Sequence, residues 1–262
     1  METTQPALLD LQHISVMRGE QVVLHDVTLR IADGEHVAIL GPNGSGKSTL
    51  IKTITREIYP LARPESRATI FGLERWNVFE LRSLLGIVSN DLAIAEYESV
   101  TGLEAVLTGF FSSIGITTRM EVTPEMERRA LAALARLEAA HLADRAIGRM
   151  SSGEERRVLI ARALVHEPRA LLLDEPSTSL DFSAQKELRR TMQALAHSGL
   201  GLVLVTHQLS DIVPEIERVI LLCAGRVVGD GPKAEMLTTG HMKEIFGVDV
   251  EVVERDGCYH LW

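Results

Sequence analysis

The stretch that decides the fold runs from residue 41 to residue 49 and reads Gly41-Pro42-Asn43-Gly44-Ser45-Gly46-Lys47-Ser48-Thr49. It fits the pattern G-x-x-x-x-G-K-[ST], in which backbone N–H groups at the start of a helix wrap the phosphates of a nucleotide. The glycines allow backbone angles and close approaches that a Cβ would block. Lys47 supplies a positive charge for the outer phosphates, and the Ser48 hydroxyl is suited to ligate Mg²⁺. The alternative interpretation is an ordinary glycine-rich turn.

The flanking sequence argues against an ordinary turn. The apolar run His36–Leu40 upstream is typical of a buried strand, and residues 48–58 downstream contain neither Gly nor Pro. The order strand, loop, helix is the context in which the pattern binds phosphate.

Composition limits the class of protein and its partners. The 262 residues are 45% hydrophobic and 24% charged, which is typical of a globular protein. Because the net charge is -9 and no long Lys/Arg run is present, we expect no direct contact with nucleic acid.

Cys223 and Cys258 lack metal-ligand spacing and are predicted to be reduced thiols in a cytosolic protein. The first residues show no secretory signal, and apolar runs such as 200–205 are too short to span a membrane, so any membrane link is expected through a partner.

A change of pattern follows the phosphate loop. Val27–Ile31 alternates like a half-buried strand, whereas residues 91–150 show helical spacing and are predicted to form an inserted helical subdomain. Within it, Thr123 is the expected N-cap of a helix with Pro124 in its first turn. The apolar stretch 106–116 is either the core of this subdomain or a groove for a partner helix.

A second chemical centre follows the apolar run Ala170–Leu173. Asp174 and Glu175 come directly after this run, as acidic residues do where a buried strand opens into a site. Asp174 is suited to hold Mg²⁺ through water, and Glu175 to orient and deprotonate an attacking water. The alternative is that Asp-Glu-Pro is only a turn.

A helix and another strand complete the candidate site. Ser183 is the predicted N-cap of the helix and Gly199 its end. Leu202–Thr206 is a buried strand that ends in His207. A lone His is more often structural than catalytic, but the C-terminal end of a strand is where open α/β sheets bind ligands.

The motifs in this order identify a family resemblance. From about Leu8 to Leu237 the chain resembles the ATP-binding cassette (ABC) ATPases, on the basis of Gly41–Thr49, Asp174-Glu175, Ser179-Leu180-Asp181 and His207. Between the nucleotide motifs, Met150-Ser151-Ser152-Gly153-Glu154 matches the family signature, usually Leu-Ser-Gly-Gly-Gln, which contacts the γ-phosphate bound by the other protomer. Such a turn at a helix N-terminus is also an anion site in its own right.

The resemblance implies an α/β fold of the P-loop NTPase type. It comprises a RecA-like core with an antiparallel β subdomain, within an ATPase domain over residues 1–240 that carries the helical subdomain at about 91–155. Arg18 stands where an aromatic residue usually stacks on adenine, and a guanidinium can also stack there. Asn90 replaces the usual metal-sensing Gln and keeps its amide. In the signature, Ser152 and Glu154 replace a Gly and the Gln, and Glu154 adds negative charge near a phosphate site.

The resemblance also implies a function. Two copies are expected to sandwich two MgATP as a homodimer and to hydrolyse ATP, powering transport through a separate membrane-embedded permease at the cytoplasmic face of the membrane. Residues 143–149 lack the Gly/Glu-rich motif of many exporters, which favours an importer. The alternative is a soluble ABC ATPase that acts in cofactor assembly, translation or DNA transactions.

The tail, residues 241–262, carries none of these motifs. Val248, Val250 and Val252 alternate with acidic residues, and Asp256-Gly257 is a hairpin turn signal. We expect a β-hairpin packed on the core, with Trp262 removed from water, rather than a frayed terminus.

Overall fold

The computed structural model describes residues 7–89, 98–111 and 121–262. Its strands are β1 (Ala7–Arg18), β2 (Gln21–Ala32), β3 (His36–Leu40), β4 (Arg67–Ile70), β5 (Leu85–Val88), β6 (Ala170–Asp174), β7 (Gly201–Thr206), β8 (Arg218–Cys223), β9 (Arg226–Pro232), β10 (Val252–Arg255) and β11 (Cys258–Leu261). Its α-helices are α1 (Lys47–Ile54), α2 (Val78–Leu84), α3 (Gly102–Phe111), α4 (Pro124–Arg136), α5 (Ser152–Leu164), α6 (Phe182–His197), α7 (Lys233–Met236) and α8 (Thr239–Phe246).

The chain divides into two compact units, each described here by itself. The first unit holds the residues up to Val78 together with Gly201–Trp262, and the second unit holds Phe79–Leu200. The helical subdomain expected at about 91–155 contains α3, α4 and the start of α5. Its boundaries as a domain stay a prediction.

An antiparallel sheet forms one layer of the first unit. Strand β1 pairs with β2 on one side and with β4 on the other. In β2 the side chains of Val27, Leu29 and Ile31 are buried, while those of Thr28 and Arg30 are exposed. The half-buried strand predicted from this alternation is confirmed, because period-two burial places one face against the core.

Parallel strands carry the phosphate loop in the same unit. Strand β3 lies between β7 and β8 and is parallel to both, and β9 runs antiparallel to β8. Val37–Leu40 is entirely buried, which explains why β3 is a continuous apolar run. The buried strand β3 therefore fixes the position of the first residues of the phosphate loop.

The second unit combines a parallel strand pair, β5 and β6, with helices. Helix α4 begins at the N-cap Thr123 with Pro124 in its first turn, as predicted. The N-cap predicted for α6 is wrong. The helix begins at Asp181, whose Oδ1 accepts a hydrogen bond from Ala184 N at 2.8 Å, and Ser183 lies inside the first turn. In the part of the chain described, no helix is long and apolar enough to cross a membrane.

The apolar stretch that begins at Val106 is partly core. Val106 and Leu107 are buried in α3. Phe110 packs edge-to-face on His166, with ring centroids 5.2 Å apart, and the Arg129 guanidinium lies 5.4 Å from the Phe110 ring centroid. Ile114 and Ile116 lie outside the described residues.

The tail forms a hairpin. Strands β10 and β11 pair antiparallel around Asp256-Gly257, which coincides with the predicted turn, while Val248 and Val250 precede the strands. Lys233 Nζ donates to Pro214 O at 3.1 Å and to Gly257 O at 3.4 Å, which ties the turn to the unit. The expected burial of Trp262 is wrong, because this residue is 80% exposed.

Candidate functional site

The phosphate loop (Gly41–Thr49) joins the end of β3 to the start of α1. Its lysine is held inside the loop. Lys47 is only 5% exposed, and its Nζ donates to Gly41 O at 2.8 Å and to Pro42 O at 3.0 Å. Because the two carbonyls fix the ammonium, a positive charge sits within the curve of the loop instead of reaching into solvent.

Two glycines are required by geometry. Gly46 is the N-cap of α1 at φ +105°, and a Cβ there would lie 2.8 Å from Leu24 Cδ2. A Cβ on Gly41 would lie 2.1 Å from the backbone oxygen of Leu222. A side chain at either position would therefore strain the backbone or push β2 or β8 away from the loop.

The loop fits a phosphate chemically. The Ser45 hydroxyl is buried and has no hydrogen-bond partner among the described residues. Helix α1 has no side-chain cap at its N-terminus, so the N–H groups of its first turn are available to an anion. Asn43, Gly44 and Ser48 are exposed, Pro42 is partly exposed, and Thr49 is buried in α1.

The turn between β8 and β9 supports this loop from outside the motif. Gly225 N donates to Ser45 O at 2.8 Å, and Gly225 O accepts from His25 N at 2.8 Å. Gly225 has φ +74°, and a Cβ there would lie 2.0 Å from Val23 O. We did not predict this support from the sequence. The available signal was Ala224-Gly225, a turn dipeptide between two apolar runs.

His207 follows β7 beside the start of the loop. Thr206 O accepts from Gly41 N at 3.3 Å, which joins the two strand ends. The Thr206 hydroxyl donates to Asp211 Oδ2 at 2.7 Å and accepts from Gln208 N at 3.0 Å. The structure thus places His207 one residue after the backbone contact between β7 and the start of the phosphate loop, within the first unit. Arg18, at the turn between β1 and β2, is exposed.

The acidic pair lies in the second unit, where β6 ends. Asp174 is the last residue of the strand, and both Asp174 and Glu175 are partly buried. Glu175 has φ +43°, a left-handed conformation that is uncommon for a residue with a side chain, and its carbonyl accepts from Thr178 N at 3.1 Å. Strained backbone of this kind concentrates at functional sites.

The signature turn (Met150–Glu154) starts α5 with a capping box. Ser151 Oγ accepts from Glu154 N at 3.3 Å, and Glu154 Oε2 accepts from Ser151 N at 2.8 Å. The other carboxylate oxygen, Oε1, lies 3.0 Å from Arg145 Nη1. The hydrogen bond from Ser151 N, and then the nearby Arg145 and Arg157, lower the pKa of Glu154 below its ordinary value. The carboxylate is therefore ionised at neutral pH.

Gly153, which keeps the glycine of the family signature, and Ser152, which replaces one, have different surroundings. A Cβ on Gly153 would lie 2.9 Å from Ala184 Cβ, so α6 leaves no room for a side chain there. Ser152 is exposed, which explains why this position accepts a side chain in the folded chain. The pattern Ser151-x-x-Glu154 is a readable capping box, whereas nothing in the sequence points to Arg145. Asn90, the other predicted metal ligand, lies outside the described residues.

Comparison with known proteins agrees with these motifs. Residues 24–178 match the family described as ABC transporter. The ABC transporter ATP-binding protein YlmA of Bacillus subtilis, itself described as uncharacterized, is 32% identical over 94% of this chain and 93% of its own. The hemin import ATP-binding protein HmuV of Bradyrhizobium diazoefficiens is 30% identical over 97% of this chain and 94% of its own.

A solved structure is similar as well. The dimeric, post-hydrolysis structure of the ATP-binding cassette MJ0796 with ADP and phosphate has a TM-score of 0.69 and 28% identity, covering 86% of this chain and 98% of that chain. The chain therefore belongs to the ABC transporter family, as one of its ATP-binding, ATP-hydrolysing cassettes with the α/β P-loop fold.

Proposed function

We propose that this cassette powers an importer by closing and reopening as a homodimer around two ATP molecules. In each site, the phosphate loop of one copy and the signature turn of the other hold the same nucleotide. The observation that carries the proposal is the position of Lys47 Nζ, fixed inside a loop that also offers a buried, unsatisfied hydroxyl and an uncapped helix start. Closure on ATP and opening after hydrolysis provide the two states needed to drive a partner.

Each predicted residue has a proposed role in this cycle. Lys47 and the N–H groups of the phosphate loop bind the β- and γ-phosphates. Arg18 stacks on the adenine, and the exposed Ser151 hydroxyl donates to the γ-phosphate held by the other copy. Glu175 orients the attacking water and accepts its proton, while His207 senses or contacts the γ-phosphate beside the start of the loop.

The residues predicted to ligate a metal carry oxygen donors, which suit a hard divalent cation. The Ser48 hydroxyl and the Asp174 carboxylate would hold Mg²⁺, with the Asn90 amide as a third donor, because Mg²⁺ prefers oxygen ligands and keeps several waters. When bound, Mg²⁺ neutralises charge that develops on the phosphates. These three residues would position it.

The transport role follows from the relatives. HmuV of Bradyrhizobium diazoefficiens is named for hemin import, and YlmA for ABC transport. We infer that this chain works on the cytoplasmic face of the membrane with separate permease subunits, and that an iron porphyrin is the first cargo to test. The soluble alternative has no support from these relatives.

Replacement of Glu175 by Gln tests the catalytic assignment. The amide keeps the shape of the side chain but cannot accept the proton, so ATP hydrolysis should fall by about 10²- to 10⁴-fold. Affinity for a fluorescent ATP analogue should stay within twofold of wild type, about 0.4 kcal/mol. Glu167→Gln, an exposed position in the same unit, is the matched control. Hydrolysis by Glu175→Gln close to the wild-type rate would exclude Glu175 as the base.

Capture of the partner tests the transport role. The tagged chain, purified from membranes in mild detergent, should bring a polytopic membrane protein with it. Proteoliposomes that contain the two together should take up hemin only when ATP is supplied. Recovery of a soluble assembly or of nucleic acid instead would contradict the proposal.

A further inference from the structure

The signature turn of this chain carries a negative charge where a phosphate is expected. The N–H groups of Ser152 and Gly153 lie in the first turn of α5, where no helical carbonyl can accept from them, and so they are suited to bind an anion. Glu154 follows in the same turn, with its side chain only 20% exposed. An ionised carboxylate so close to the turn would repel a phosphate unless a cation compensates it.

Arg145 supplies that cation from a fixed backbone. Its Nη1 donates to Glu154 Oε1 at 3.0 Å, and its Nη2 donates to Arg149 O at 2.5 Å. Its carbonyl accepts from Gly102 N at 3.0 Å, which anchors the residue to the start of α3. The guanidinium therefore bridges the carboxylate and the chain that leads into the signature turn.

The other nearby cation is engaged elsewhere. Arg157 Nη1 lies 3.0 Å from Glu187 Oε2, one turn further along α5 and toward α6. The guanidinium of Arg145, by contrast, contacts Glu154 directly, and the Arg145 side chain is still 45% exposed. The Arg145 side chain is therefore partly accessible to solvent while it is bonded to Glu154.

We propose that Arg145 is a positioning residue for ATP-dependent dimerisation, which neutralises Glu154 so that the signature turn can accept the γ-phosphate of the ATP bound by a second copy. This inference rests on the proposed nucleotide sandwich. Glu154 contributes the cap that orders the turn, and Arg145 removes the electrostatic cost of using a carboxylate for that purpose. The Arg145–Glu154 ion pair thus has no net charge at the position where the usual signature has a neutral Gln.

A double-mutant cycle tests the proposal. Dimerisation of the full chain is followed by analytical ultracentrifugation with Mg²⁺ and a non-hydrolysable ATP analogue. Arg145→Ala should raise the analogue concentration needed for dimerisation about tenfold, since it leaves an uncompensated charge beside each of two phosphates. In the Glu154→Gln background the same change should have less than a twofold effect, because no charge remains to compensate. Arg145→Lys, which keeps the charge, should weaken dimerisation less than Arg145→Ala.

Two further readouts separate this role from a structural one. Arg145→Ala should leave the affinity of the monomer for a fluorescent ATP analogue unchanged, because the phosphate loop is intact. Arg128→Ala, which removes the exposed Arg128–Glu125 pair of α4, is the matched control and should not alter dimerisation. The proposal is wrong if Arg145→Ala impairs dimerisation to the same extent in the wild-type background and in the Glu154→Gln background. It is also wrong if Arg145→Ala has no effect in either background. If the wild-type chain fails to dimerise with the analogue, the proposed sandwich itself is wrong.

Discussion

The phosphate loop and the signature turn both contain the N-terminus of a helix, where we propose that an anion binds, but the two helix starts are built in opposite ways. Helix α1 starts at Gly46 without a side-chain cap, next to a buried lysine. Helix α5 starts at Ser151 with a complete capping box, and Ser151 and Ser152 are exposed. In the proposed nucleotide sandwich, the loop that wraps a phosphate keeps its own donors unused, whereas the turn that completes the site of another copy has to hold its shape before that copy binds.

The largest effect should come from the buried lysine. Lys47→Ala removes the positive charge and its hydrogen bonds to the outer phosphates, so nucleotide affinity should fall about 10- to 100-fold, in line with about 1.5–3 kcal/mol for a charge-assisted bond. Titration with a fluorescent ATP analogue measures it, and Lys52→Ala, at the other end of α1, is the control. Unchanged affinity would mean that Lys47 does not bind the phosphates. The contrast between the phosphate loop and the signature turn would then no longer include a buried cation in the loop.

A smaller effect is expected from the two glycines at the helix starts. Gly46→Ala forces a side chain to φ +105° and against Leu24, at a cost of about 1–3 kcal/mol in the free energy of unfolding. Gly34→Ala, at φ +76° with no atom within 4 Å, measures the strain alone and should cost about 1 kcal/mol. Gly153→Ala meets only Ala184 and should cost less than Gly46→Ala. Chemical denaturation of the three variants provides the ranking, and a reversed order would contradict it.

Loss of the Ser151 side-chain cap should destabilise α5 and no other helix. Ser151→Ala removes the acceptor for Glu154 N and should cost about 1 kcal/mol, which lowers the melting temperature by about 2–4 °C for a chain of this size. Ser152→Ala, at the exposed neighbour, should leave the melting temperature unchanged. Equal melting temperatures for the two variants would show that the capping box does not stabilise the turn.

The smallest effect concerns pH. The hydrogen bond from Ser151 N, and then the nearby arginines, lower the pKa of Glu154 in the folded state. The ionised carboxylate therefore contributes its full stabilisation above the ordinary Glu pKa of about 4.3. This stabilisation is lost as the pH falls through the lowered pKa. The difference in unfolding free energy between wild type and Glu154→Gln should therefore be largest near neutral pH and shrink below about pH 4. Denaturation at several pH values measures it. A difference that does not vary with pH would mean that the carboxylate charge does not stabilise the fold.

Prediction from sequence succeeded where the signal is local. The phosphate loop, β3 and the N-cap Thr123 are recognised from residues within a few positions of one another. The start of α6 was misplaced because Asp181 and Ser183 are both good N-cap residues two positions apart, and only the backbone decides which of them caps. The exposure of Trp262 was missed for a related reason, since an aromatic side chain indicates a tendency to bury but not a surface to bury against.

By itself, the sequence determined the phosphate-binding pattern, the capping box and the family, because each depends on residue types at short, fixed spacings. The tertiary structure decided which distant residues support them. Gly225 N donates to Ser45 O in the phosphate loop at 2.8 Å, and Arg218 bonds to Glu35, 183 positions away, at 2.9 Å. These contacts join segments that approach one another only after the strands and helices have packed. A local sequence pattern therefore cannot predict which charged residue or turn will contact another.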